Sequence, residues 1–195
     1  MTASPPPQAH DGVILDEADI ARAITRLASS LVEAERGTDR LVLLGIQTRG
    51  VPLAKRIQAS ITAIEGVEVP QGELDITMYR DDLRRQPTRR VGRTRVPVSI
   101  DDATVVLVDD VLYSGRTVVA ALDALKDLGR PAAVRLLVLV DRGHRQVPVR
   151  PDHVGRDLPT APNEHVSVLL REIDGVDEVR VSPIMPTRPD SEENR

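Results

Sequence analysis

The sequence predicts an α/β domain, a mainly parallel sheet flanked by helices. Three observations lead there. Leu41–Ile46 and residues 104–108 and 133–140 are short apolar runs of strand length, as expected of strands buried on both faces. Between them lie segments whose apolar residues recur three and four apart, the helical period. Strand and helix signals alternate along the chain, so parallel strands joined by covering helices are the simplest arrangement.

Taken in order, the first helix is predicted to start at an Asp16 cap and run towards Gly37, with Ile20, Ile24, Leu27 and Leu31 in one stripe. Leu41–Ile46 is the first buried strand. After Gly50, Pro52 takes a position that a first helical turn tolerates, and Leu53, Ile57 and Ile61 align on one face. Leu74, Ile76 and Met78 alternate with polar residues, which predicts a strand delivering Tyr79, Arg80, Asp81 and Asp82 at its end. Arg84, Arg85, Arg89, Arg90, Arg93 and Arg95, punctuated by Pro87 and Gly92, read as a mobile loop or hairpin. A strand at 104–108 leads into a helix over 115–128, with Leu122, Leu125 and Leu128 inward. Gly129 ends that helix and Pro131 prevents its continuation. The strand at 133–140 follows, and 147–183 read as short strands and turns.

The 195 residues suit one domain, expected over 13–186, between disordered tails at 1–12 and 187–195. With no cysteine there is no disulfide, thiolate metal site or cysteine nucleophile. The longest apolar stretches, such as that from Leu136 to Val140, are far too short to span a bilayer. Three prolines, Pro5, Pro6 and Pro7, stand where a signal peptide would be apolar, so the expected location is cytoplasmic. A net charge of -4 and pI near 5.6 are not those of a generally basic nucleic-acid binder. All but two of the 26 basic residues are arginine, the exceptions being Lys55 and Lys126, a bias of the kind GC-rich coding produces. There is no Phe or Trp, so the core must be aliphatic.

Ligands of parallel sheets collect at the carboxyl ends of the strands. That selects Gln47 to Gly50, Asp109 to Thr117 and Asp141 to His144. The second is the strongest signal: residues 105–117 read Val-Val-Leu-Val-Asp-Asp-Val-Leu-Tyr-Ser-Gly-Arg-Thr. Two adjacent carboxylates at a buried strand end are costly unless they bind something, and vicinal ribose hydroxyls are donors matched to them. The turn that follows opens a helix, where unpaired N–H groups and the helix dipole favour a phosphate. The Gly-x-x-x-x-Gly-Lys spacing of a nucleotide-triphosphate loop is absent.

This run resembles the phosphoribosyl pyrophosphate (PRPP) motif of type I phosphoribosyltransferases: four apolar residues, two acids, two apolar residues, a variable position, then Ser/Thr-Gly-x-Thr. The resemblance implies that fold, with a flexible flap. It also implies that Asp109 and Asp110 hold the ribose 2′- and 3′-hydroxyls. The backbone of Tyr113, Ser114, Gly115, Arg116 and Thr117, with the Ser114 and Thr117 hydroxyls, would cradle the 5′-phosphate, and Val111 and Leu112 would also lie against PRPP or UMP. Magnesium would ride on the pyrophosphate, with no direct protein ligand unless Asp109 or Asp110 supplies one. Purine-specific members carry Asp at the variable position. Tyr113 stands there, which weakens a purine reading.

More specifically, residues 109–117 resemble the bifunctional pyrimidine-operon regulators with uracil phosphoribosyltransferase activity, with Ser114 where Thr is usual. Gly45 to Gly50 with Leu53 to Arg56 is similar to that family's pyrophosphate loop, which implies roles for Thr48, Arg49 and Gly50. Arg49 can pair with pyrophosphate, and Gly50 lets backbone approach. Leu74 to Asp82 resembles the element before the flap. Tyr79 and Arg80 are therefore expected at the pyrophosphate, with Arg90 and Arg93 in the flap. Asp141, Arg142 and Gly143 match the base side, where backbone groups would read uracil. The sequence presents no clear general base for the uracil N1 proton. His144 is a candidate that also reads as a structural histidine.

The resemblance further implies a homodimer or higher homo-oligomer, binding of UMP or UTP, and an RNA-binding face for a hairpin in the leader mRNA of a pyrimidine operon. The matching positions are Thr25, Arg26, His144, Arg145, Arg150 and Arg156. A histidine frequent in the family's first helix is Ser29 here. The alternative expectation is a plain salvage phosphoribosyltransferase, for uracil or a purine, with surface arginines of no special role.

Overall fold

The computed structural model describes residues 12–81, 92 and 94–184. Its elements are β1 (Gly12–Leu15), α1 (Glu17–Glu35), β2 (Leu41–Ile46), α2 (Gly50–Glu65), β3 (Gln71–Leu74), a 3-10 turn (Thr77–Tyr79), β4 (Thr104–Leu112), α3 (Arg116–Lys126), β5 (Ala133–Asp141), β6 (His153–Asp157), β7 (Glu164–Leu169), α4 (Arg171–Asp174) and β8 (Glu178–Pro183).

Five strands in the order β3-β2-β4-β5-β6 form an all-parallel sheet. The alternation of the pleat splits its central strands between two cores. Leu41 and Leu43 of β2 and Val106 and Val108 of β4 join α1 and α2 on one face. Val42, Leu44, Val105 and Leu107 join α3 on the other. Being covered on both faces is why these strands contain almost no polar residue. A second, antiparallel sheet, β1-β8-β7, packs Val166, Val168, Val179 and Val181 into the core of α1 and α2.

The caps follow local chemistry. Asp16 starts α1 through a capping box: its carboxylate accepts from the Asp19 N–H at 2.8 Å, and that of Asp19 accepts from the Asp16 N–H at 3.3 Å. Gly66 closes α2 at φ 70°, a left-handed conformation that suits glycine.

Four expectations change. The predicted strand through Met78 stops at Leu74, because the Asp75 carboxylate accepts from the Thr77 N–H at 2.9 Å and turns the chain. Met78 is left 66% exposed. The strand predicted to stop at Val108 runs on through both acids to Leu112, since Asp109, Val111 and Leu112 stay paired with β5. Leu128 is exposed rather than inward, because α3 ends at Lys126 and the helical stripe ends with it. Gly12, expected in a disordered tail, pairs with Val181 as the first residue of β1. The expected tails otherwise lie outside the described residues, as does most of the expected flap, including Arg84, Arg85, Arg89, Arg90 and Arg93. Its return is described: Arg95 exchanges two 2.8 Å backbone hydrogen bonds with Glu73 on β3.

Candidate active site

The three segments selected from the sequence end β2, β4 and β5, side by side in the parallel sheet. Between the first two and the segment after β3 is a cleft of about 320 Å³, whereas Asp141 and Gly143 line separate grooves beyond β5. Thr48, Arg49, Arg80, Asp109, Asp110, Val111 and Thr117 line the cleft, together with Gln47, Asp75, Ile76 and Thr77.

Asp109 is 8% exposed, and its carboxylate accepts from the Asp110 N–H at 2.9 Å. Asp110 likewise accepts from the Val111 N–H at 2.9 Å. Burial first, then the charge of Asp110, push the Asp109 carboxyl well above the usual range, with Arg80 opposing weakly. The fold thus carries the Asp109 charge at an electrostatic cost. Gly115 turns the chain at φ 87° directly before α3, and a Cβ there would meet Val147 and Val149. Ser114 Oγ lies 3.4 Å from the Arg116 N–H, and Thr117 in the first turn of α3 reaches the cleft.

Across the cleft, α2 begins unusually close to the sheet. A Cβ on Gly50 would collide with the Val108 carbonyl oxygen, and one on Gly45 would lie 2.5 Å from Val51 Cα. Gly50 therefore serves helix–strand contact, where the sequence suggested backbone approach to a ligand. The Gln47–Thr48 peptide is cis. Arg49, immediately before α2, donates from Nε (3.2 Å) and Nη2 (2.8 Å) to the two oxygens of Asp174.

Asp75 was missed as a site residue. It is 8% exposed; Oδ1 accepts from the Thr77 N–H and hydroxyl, while Oδ2 has no hydrogen-bond partner among the described residues. Its signal was an Asp two residues before a Thr in an apolar segment, the pattern of a side chain that turns the backbone. Tyr79 does not line the cleft: its hydroxyl donates to Asp127 at 2.6 Å, beyond the end of α3. Arg116 is paired with Asp81 and donates to Gln146 at 3.0 Å, bridging the segment after β3 to the loop after β5.

On the base side, the backbone donors are engaged within the chain. The Arg142 N–H donates to Leu112 O at 3.1 Å and that of Gly143 to Asp141 Oδ1 at 2.9 Å. The Arg142 side chain is buried, bonded to Thr160 Oγ1 and Glu164 O, with its guanidinium carbon 4.3 Å from the Tyr113 ring centre. His144 Nε2 lies 2.7 Å from Thr160 O; a carbonyl only accepts, so that nitrogen carries the proton.

The positions expected to meet RNA separate. Thr25 and Arg26 are exposed on α1, and Arg26 reaches the Gly155 carbonyl on β6, next to exposed Arg156. Arg150 lines a groove that reaches Val154 and Asp157 of the same edge strand. Arg145 is folded inward instead: it donates to Leu112, Tyr113 and Gly143 carbonyls and pairs with Asp141 at 2.5 Å. The Asp141 carboxylate captures it four residues on, so its charge braces the base-side loop.

An acid pair whose first member is buried, a glycine turn opening α3 and an arginine at the start of α2, all at the carboxyl end of one parallel sheet, define a phosphoribosyltransferase. Residues 12–171 match the phosphoribosyl transferase domain family, and the chain belongs to it. Within that family it is 57% identical over 174 residues to the bifunctional protein PyrR of Leifsonia xyli subsp. xyli, covering 87% of this chain and 95% of that one. It is 54% identical over 171 residues to the protein of the same name from Deinococcus radiodurans, covering 86% and 92%. Among solved structures, a hypoxanthine phosphoribosyltransferase of Trypanosoma cruzi superposes with a TM-score of 0.69 at 18% identity, covering 89% of this chain and 97% of that one. One from Staphylococcus aureus superposes at 0.66 and 18% identity, covering 88% and 92%. These structures share the fold.

Proposed function

We propose that this chain joins uracil to the ribose of PRPP, giving UMP and diphosphate, and also regulates a pyrimidine operon by binding its leader mRNA when uridine nucleotides are bound. The observation that carries the first half is the single cleft shared by Asp109, Asp110, Thr117 and Arg49. Asp109 and Asp110 accept from the ribose 2′- and 3′-hydroxyls. The 114–117 turn and the start of α3 hold the 5′-phosphate. Thr48 and Arg49 receive the pyrophosphate, with Arg80 nearby.

In the reaction the C1′–oxygen bond to pyrophosphate breaks as uracil N1 bonds to C1′, and N1 loses its proton. The transition state has oxocarbenium character, so rate comes from holding both partners and stabilising the leaving diphosphate. Among the described residues no three His, Cys, Asp or Glu side chains cluster as a metal site. A magnesium ion that arrives on PRPP, held mainly by phosphate oxygens and water with Asp109 and Asp110 nearby, suits that donor set. Bound there, it would supply positive charge against the leaving group. The Arg142 and Gly143 N–H groups are already donating, so uracil is read by their carbonyls as second acceptors or after the loop rearranges.

The regulatory half is supported by exposed Arg26, Arg150 and Arg156, which lie on or beside edge strand β6 and can contribute positive charge locally on an acidic protein. Homodimer assembly and a cytoplasmic location belong to the same reading. No described helix is long and apolar enough to cross a membrane.

The test is turnover of radiolabelled bases with magnesium and PRPP, alongside titration with the operon's own leader RNA with and without UMP. Conversion of uracil, and not of hypoxanthine, guanine or adenine, is expected, with UMP-strengthened RNA binding. A purine turned over faster than uracil reverses the substrate assignment. Uracil turnover without RNA binding at low salt leaves a plain uracil salvage enzyme.

A further inference from the structure

Arg49 and Asp174 are 125 residues apart and meet side-on: Nε and Nη2 of the arginine donate to the two carboxylate oxygens at 3.2 and 2.8 Å. A guanidinium carries five N–H donors in a planar fork, and a side-on carboxylate occupies two of them. The edge formed by Nη1 and the second Nη2 hydrogen has no hydrogen-bond partner among the described residues, and Arg49 lines the cleft. Asp174 is held in turn. Its Oδ2 accepts from the Leu170 N–H at 2.9 Å.

The segment that carries Asp174 is clamped to the same helix. Arg56, seven residues beyond Arg49 and so on the same side of α2, donates to both oxygens of Glu172 (2.8 and 2.6 Å) and to Asp177 Oδ1 (2.7 Å). Asp177 also accepts from the Arg171 N–H at 2.8 Å. Thus Arg56 docks the turn between β7 and β8, and the docked turn presents Asp174 to Arg49. A long arginine that is half-exposed would otherwise sample many rotamers, and ordering it upon binding would cost affinity.

We propose that Asp174 is a positioning residue. It fixes the guanidinium plane of Arg49 so that the remaining two-donor edge is presented to the leaving diphosphate. This rests on the reading of Arg49 as the pyrophosphate arginine. It gives the small antiparallel sheet a part in the reaction, since that sheet carries the turn that orients a group in the cleft.

The experiment measures inorganic diphosphate binding, with magnesium, by calorimetry, and steady-state kinetics with PRPP and uracil. The proteins are the full chain, Arg49→Ala, Asp174→Asn, the double variant, and Glu172→Gln as control. Asn keeps an acceptor for the Leu170 N–H, so the turn stays closed. Asp174→Asn is expected to weaken diphosphate binding about tenfold and to raise KM for PRPP, with the uracil KM little changed. In the Arg49→Ala background it should add nothing. Glu172→Gln weakens one of the two contacts that Arg56 makes and leaves Asp177 to hold the turn, so it should lower the melting temperature and reduce diphosphate affinity less than Asp174→Asn does. Unchanged or tighter diphosphate binding by Asp174→Asn, with Arg49→Ala clearly weakened, overturns the positioning role alone. No loss in Arg49→Ala overturns the assignment of Arg49, and the inference with it.

Discussion

The Asp110 N–H donates to Asp109 Oδ1 at 2.9 Å, so the buried carboxylate of this pair leans on the backbone of its own neighbour. That single bond lowers the cost of burying Asp109 without removing it. Desolvation and the adjacent Asp110 charge still hold its pKa well above the usual value.

The consequence is a stability trade at residue 109. An unfolded Asp titrates near about 3.9. Between that value and its raised folded value the native state binds more protons than the unfolded one, so stability falls as pH rises through this window. Asp109→Asn keeps an acceptor for the Asp110 N–H and removes the charge. The ligand-free variant should therefore melt higher than the parent at pH 7–8, by roughly 2–4 °C for each kcal/mol recovered, and the gain should shrink towards pH 4. Its PRPP affinity should fall at the same time, as should that of Asp110→Asn. Calorimetry showing undiminished PRPP binding in both variants would remove the ribose assignment.

Gly50 makes a different demand. A side chain there meets the Val108 carbonyl, which is backbone and cannot rotate away. Gly50→Ala should destabilise the fold by about 1–3 kcal/mol through forced separation of α2 and β4. PRPP affinity should fall with it, because the shift moves Arg49 relative to Asp110. A thermal melt matching the parent's would show that the contact relaxes freely.

RNA binding and catalysis should separate at Arg150 and Arg156 but not at Arg145. Arg150→Ala and Arg156→Ala remove exposed charges at the β6 edge. They should lower leader-RNA affinity, make its salt dependence shallower by about one unit of log–log slope each, and spare uracil turnover. Arg145→Ala removes a donor from four acceptors around the loop after β5, of which Leu112 O keeps the Arg142 N–H, and should lower uracil turnover as well. Equal losses of turnover in all three would mean that the β6 edge belongs to the catalytic machinery.

Much of this protein was determined locally and could be read from its sequence. The buried strands show as apolar runs because both faces are covered. Asp16 announces α1 because a cap needs only its own neighbours. Residues 105–117 could be read as a candidate phosphate and ribose site because strand, acids and turn are consecutive. Other features depended on residues that meet only after folding. Where the Arg145 guanidinium lies was decided by Asp141, Leu112 and Tyr113 closing around it. Whether Arg49 is oriented was decided by Asp174, placed by a turn that Arg56 holds. The second sheet joins Gly12 to Val181, and no pattern in either segment names the other. Periodicity and turn chemistry report the conformation of a segment, whereas an arginine's partner is set by which carboxylate the assembled fold brings within reach.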